Sequence, residues 1–145
     1  MKNKMNRYFC QKTMFYLVVD PARQTLKWVR AGHEPAILYD QETDDFSELQ
    51  GSGIGLGVDM HFQYEKNQKE NFSEGNIVLL ATDGVWEARN KRGQMFGRTA
   101  VYDIIRNNSA AGANEIMEAI INQIKKFLGV SKPEDDLTLV VVKAL

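Results

Sequence analysis

Asn76-Ile-Val-Leu-Leu-Ala-Thr-Asp83-Gly84-Val-Trp86-Glu87-Ala88 is the stretch that decides the fold. It opens after the turn-like Glu74-Gly75 and runs unbroken and apolar from Ile77 to Ala81. A short apolar run of this kind, bounded by turn residues, reads as a strand buried on both faces. It ends in a carboxylate, Asp83, followed by a glycine that lets the backbone turn sharply or approach a ligand closely. Such a strand end can build a cation site from oxygen donors. The Asp-Gly dipeptide is also common in ordinary turns, so this stretch alone leaves both readings open.

A second stretch, Pro133-Glu134-Asp135-Asp136-Leu137-Thr138-Leu139-Val140-Val141-Val142, is again β-branched and carries its carboxylates at the beginning. If the two strands are antiparallel neighbours, the end of one lies beside the start of the other. Asp83 and Asp135 then meet across the sheet. Two carboxylates ~5 Å apart repel by roughly 3 kcal/mol at an effective dielectric near 20, so a cation between them makes the arrangement sensible. All-oxygen donors suit a hard ion, Mg²⁺ or Mn²⁺, better than zinc.

Four ordered segments now carry a resemblance: Ala31-Gly32-His33-Glu34-Pro35, Thr82 to Asn90, Met95-Phe96-Gly97 and Asp135-Asp136-Leu137-Thr138. Together, from about Thr13 to Lys143, they resemble the SpoIIE/RsbU-type branch of the PP2C-like metal-dependent serine/threonine phosphatases. The resemblance implies an α+β fold, a PP2C-like αββα sandwich of mostly antiparallel sheets. It implies a binuclear Mn²⁺ or Mg²⁺ centre held by aspartates, with activated water attacking the phosphorus of phosphoserine or phosphothreonine. By motif, Asp83 and Asp135 match metal ligands, and Asp136 is the less favoured of the pair because relatives often carry asparagine there. Trp86 and Glu87 match structural supports of the turn. The implied substrate is a phosphorylated bacterial signalling regulator of the anti-anti-sigma type.

The resemblance also sets an expectation about completeness. The family has an earlier segment with another Asp-Gly, whose Asp bridges both metals. The first 12 residues here contain no Asp, Glu or Gly. The expectation is therefore a single partial domain over 1–145, a 1–12 arm followed by a sandwich portion over 13–145, incomplete on its N-terminal side. It would hold at most one loosely bound ion, and the chain by itself would be inactive. A sheet face normally covered by the earlier helices would be bare and could pair two copies as a homodimer. A non-catalytic interaction module is the alternative reading.

Composition agrees with one ordinary globular domain: 145 residues, 43% hydrophobic and 26% charged. With 18 basic and 19 acidic residues, no attraction to nucleic acid or membrane is implied. One cysteine, Cys10, excludes an intrachain disulfide and a multi-cysteine zinc site, and a cytoplasmic setting fits. No apolar run approaches the ~20 residues of a membrane helix.

Along the chain, strands are expected over Thr13–Asp20, Thr25–Ala31, Pro35–Asp40, Phe46–Leu49 and Phe62–Glu70, besides the two above. Gly51-Ser52-Gly53-Ile54-Gly55-Leu56-Gly57 fits neither a dinucleotide fingerprint nor a P-loop and reads as a flexible connector. Val85–Ala88 is a single helical turn. Thr99–Arg106 and Asn114–Leu128 repeat apolar residues at helical spacing, the latter stopped by Gly129. His33 reads as a turn-holding histidine rather than a ligand. Arg89, Lys91 and Arg92 read as a solvated basic loop. No Gly-x-Ser-x-Gly or HExxH motif is present.

Overall fold

The computed structural model describes residues 12–129 and 136–145. The expected N-terminal arm, but for Lys12, and Asp135 lie outside these residues.

Seven strands form two antiparallel sheets. β1 (Met14–Asp20), β2 (Thr25–Ala31) and β5 (Asn67–Lys69) make a three-stranded sheet in the order β1-β2-β5. β3 (Ala36–Asp40), β4 (Asp45–Leu49), β6 (Ile77–Ala81) and β7 (Leu139–Lys143) make a four-stranded sheet in the order β4-β3-β6-β7. The described residues also form three helices: α1 (Gly84–Glu87), α2 (Arg98–Asn107) and α3 (Ala113–Leu128).

The apolar run of β6 is explained by two cores. Ile77, Leu79 and Ala81 face outward and pack with Ile116, Ile120, Ile124 and Leu128 of α3 and with Val101 and Ile105 of α2. Val78 faces the opposite way and packs with Leu26, Trp28, Leu38 and Leu49 between the sheets. Alternate residues of one strand thus serve a helix layer and a sheet layer, which leaves no polar position between Ile77 and Ala81. In the α3 stripe Ile116, Ile120 and Ile124 are fully buried, as their spacing predicts, and Ile121 is partly buried.

The pairing on which the site depends is present. β6 and β7 are antiparallel with Ala81 opposite Leu139, so Asp83 leaves β6 at the end where β7 begins. Regular pairing starts at Leu139 rather than at Asp136. In between, the Thr82 amide donates to the Thr138 carbonyl at 3.0 Å and the Thr82 hydroxyl adds two links: the Thr138 amide donates to it at 3.2 Å, and it donates to the Asp136 carbonyl at 3.2 Å.

One expected strand is largely absent. Of Phe62–Glu70 only Asn67–Lys69 pairs, opposite Leu26 to Trp28 of β2. Further along β2 the edge is already taken. A Cβ at Gly53 would lie 1.9 Å from the Arg30 carbonyl oxygen, so the glycine segment runs directly against that strand. Phe62 and Tyr64 fold onto each other instead, with ring centres 4.9 Å apart, and the Tyr64 hydroxyl donates to the Gly55 carbonyl. The same packing corrects the flexible-connector expectation: Gly51–Gly57 is a close-packed strap, tied also by mutual backbone hydrogen bonds between Lys12 and Leu56.

The helices cover only one of the two outer faces. On β1 the outward side chains Met14, Tyr16 and Val18 are 40%, 57% and 40% exposed, and among the described residues no helix lies over them. No helix of the described residues is long and apolar enough to cross a membrane.

Candidate metal centre

Asp83 stands where β6 becomes α1. Its carboxylate accepts the Gly84 amide at 2.9 Å, and its carbonyl accepts the Trp86 and Glu87 amides at 3.1 and 2.9 Å. It is thus the N-cap of a four-residue helix, and its side chain is exposed at the sheet end. Gly84 is required for a steric reason. A Cβ there would sit 2.8 Å from the Asp136 carbonyl oxygen, so the Asp83 turn and the Asp136 backbone touch.

The two strand ends at Asp83 and Asp136 are therefore in contact. Asp83 and Asp136 lie at adjacent strand ends, both exposed. Asp135, the favoured partner by motif, falls outside the described residues. The oxygen donors suit one hard cation shared between neighbouring strand ends. Among the described residues no group of three or more His, Cys, Asp or Glu side chains is placed to hold a metal ion.

The other residues singled out in the sequence divide clearly. His33 is half-buried, its Nδ1 is 3.0 Å from the Glu34 carbonyl oxygen, and its ring meets Phe15 edge-on. It holds a turn, as expected. Trp86 is 6% exposed and supports the Asp83 turn by packing. Glu87 is exposed, so it gives the turn no packed support, a correction to its expected role. The basic loop is a tight turn in which the Asn90 side chain accepts the Arg92 and Gln94 amides and presents Lys91 and Arg92 to solvent.

Sequence reasoning missed Arg98. Its guanidinium bonds Glu48 at 2.7 Å and Glu34 at 2.5 Å and lies 4.1 Å from the centre of the Trp86 ring. Its carboxylate partners are 50 and 64 residues away, beyond any local pattern.

Comparison with known proteins agrees with this geometry. RsbU of Bacillus subtilis, a phosphoserine phosphatase, is 29% identical over 131 residues, which is 90% of this chain and 38% of RsbU. RsbP of the same organism, also a phosphoserine phosphatase, is 26% identical over 94% of this chain and 31% of its own length. Among solved structures, the SiaA PP2C domain of Pseudomonas aeruginosa superimposes with a TM-score of 0.75 at 22% identity, over 90% of this chain and 51% of that one. The Mn-presoaked phosphatase domain of SpoIIE from Bacillus subtilis gives 0.67 at 17% identity, over 91% and 56%. The chain thus spans about half the length of these solved phosphatase domains. The family model described as Stage II sporulation protein E matches residues 2–145. With the two-sheet fold, the β6–β7 pairing and that match in agreement, this chain belongs to the SpoIIE family and has its PP2C-like α+β fold.

Proposed function

We propose that this chain is the C-terminal portion of a metal-dependent protein phosphatase domain that hydrolyses phosphoserine or phosphothreonine on a cytoplasmic signalling regulator. The anti-anti-sigma type of substrate follows from the resemblance to the RsbU branch. In this reading Asp83 and Asp135 are metal ligands, Asp136 is the less favoured candidate, and the ion is Mn²⁺ or Mg²⁺. The observation that carries it is the contact between Gly84 and the Asp136 carbonyl, which brings two carboxylate-bearing strand ends to one place. When bound, the cation acidifies water and neutralises charge on the phosphoryl oxygens. The chain's own part is to fix the donors. Asp83 is held by its N-cap bond, and Thr82 ties the start of β7 to the end of β6.

The test uses the natural protein at its full expressed length with a phosphoserine protein substrate. Mn²⁺-dependent phosphate release is expected, and Asp83→Asn should lower it by a hundredfold or more. Undiminished turnover in that variant would remove Asp83 from the site.

A second reading, an interaction module that pairs through its sheet, has one observation in its favour. Met14, Tyr16 and Val18 expose an apolar row on β1. Such rows tend to mark association surfaces.

A further inference from the structure

Four carboxylates lie towards one end of the four-stranded sheet. β3 runs antiparallel to both β4 and β6, with Ile37 opposite both Glu48 and Leu79. Glu34, just before β3, and Glu48, near the end of β4, therefore lie towards the end where Asp83 leaves β6. Asp136 lies against Gly84 at the same end. Glu34 and Glu48 are both engaged by Arg98, the first residue of α2.

Arg98 also reaches the Asp83 turn. Its guanidinium carbon is 4.1 Å from the centre of the Trp86 ring, and the preceding residue, Gly97, donates its amide to the Trp86 carbonyl at 2.8 Å. Trp86 in turn donates its amide to the Asp83 carbonyl. A four-residue helix is far too short to be stable by its own hydrogen bonds and takes its position from tertiary packing. The buried face of α1 is Val85 and Trp86, while Asp83 and Glu87 are exposed. Whatever fixes the indole fixes the orientation of the Asp83 carboxylate.

We propose that Arg98 is a positioning residue for the Asp83 turn, clamping Trp86 with its guanidinium plane while Glu34 and Glu48 hold that plane in place. The arrangement also offsets one of the two negative charges that Glu34 and Glu48 bring to this end of the sheet. The chemistry calls for arginine: a planar fork can donate to two carboxylates from its edge and stack on an indole with its face, whereas a lysine ammonium is a point charge. The inference rests on the reading of Asp83 as a metal ligand for its consequence, although the clamp itself does not.

The test compares Arg98→Met, Arg98→Lys and Glu48→Gln with the unaltered chain by two measurements. Amide hydrogen exchange in metal-free buffer reads the turn directly. Arg98→Met should accelerate exchange at Trp86 and Glu87 by tenfold or more while the β6 amides keep their protection. Lysine should restore part of the difference, and Glu48→Gln, which removes one arm, should give a smaller change at the same amides. Mn²⁺ binding, followed by the electron paramagnetic resonance signal of the free ion, should weaken three- to tenfold in Arg98→Met. Exchange unchanged at the turn, or accelerated equally across β6 and α2, would overturn the proposal. If Arg98→Met does not fold, the other two variants decide by the same criterion. An unaltered chain that binds no Mn²⁺ would instead remove Asp83 as a ligand in this chain, and the exchange result would still decide the role of Arg98.

Discussion

Asp83 does two jobs at once, capping α1 and, in the proposed function, offering an oxygen to a cation. Asparagine can do the first nearly as well, since Asn and Asp rank together as N-caps. Asp83→Asn should therefore leave the fold intact and raise stability slightly in metal-free buffer, by under about 1 kcal/mol for exposed charges. With the ion at ten times its dissociation constant, the unaltered chain should gain about 1.4 kcal/mol from binding, and the variant none. Thermal unfolding of both proteins with and without Mn²⁺ checks this, and equal metal shifts would contradict it. Asp44 offers a pH test at the same scale. Its carboxyl is held below the ordinary carboxylate range, chiefly by the hydrogen bond from Arg106 and then by that from Tyr39. A depressed pKa contributes stability that is fully present above the ordinary carboxylate value and is lost as pH falls through the folded-state value. The melting temperatures of the unaltered chain and Asp44→Asn should therefore differ at neutral pH, and the gap should shrink as pH falls below the ordinary carboxylate value. A gap that stays constant across that range would rule out the linkage.

At the scale of elements, what was legible in the sequence was whatever burial writes into a local pattern. β6 is readable because both its faces are buried, and α3 because Ile116, Ile120 and Ile124 repeat at the helical period. Truncating the centre of that stripe, Ile120→Ala, should cost about 2–5 kcal/mol, seen as a lowered midpoint in urea. Phe62 and Tyr64 alternate as a strand would, yet they do not pair, because whether β2 has a free edge there is decided by residues about ten positions earlier. Gly53 occupies that edge, and its tightness gives the test. Gly53→Ala would drive a methyl group into the Arg30 carbonyl oxygen, and overpacking of this kind costs about 1–3 kcal/mol. Hydrogen exchange should show the loss centred on the β2 end and the 51–57 strap. Retained stability in Gly53→Ala would mean that the strap is mobile after all. Of the candidate site, the strand ends at Asp83 and Asp136 were readable for the same reason. Each flanks a patterned strand, whereas Arg98 works through partners that only the folded sheet brings near.

Among the described residues two helices lie over one sheet and an apolar row over the other, and this asymmetry bears on association. Met14, Tyr16 and Val18 should favour pairing of two copies through β1, so light scattering at high concentration is expected to show a dimer that Tyr16→Lys weakens. A well-behaved monomer would count against it. A two-metal mechanism needs ions ~3.5–4 Å apart, clamped from both sides. Among the described residues no cluster of three or more candidate ligands exists, and Asp83 and Asp136 at neighbouring strand ends suit a single shared ion. Mg²⁺ dehydrates reluctantly and, held by one or two carboxylates, keeps most of its waters. The 145-residue chain tested by itself is thus expected to bind one ion loosely and to release no phosphate above the Asp83→Asn background from a phosphoserine peptide in millimolar Mn²⁺. Clear metal-dependent turnover would show that this chain, or a second copy of it, supplies a bridging carboxylate that the Asp83–Asp136 corner does not.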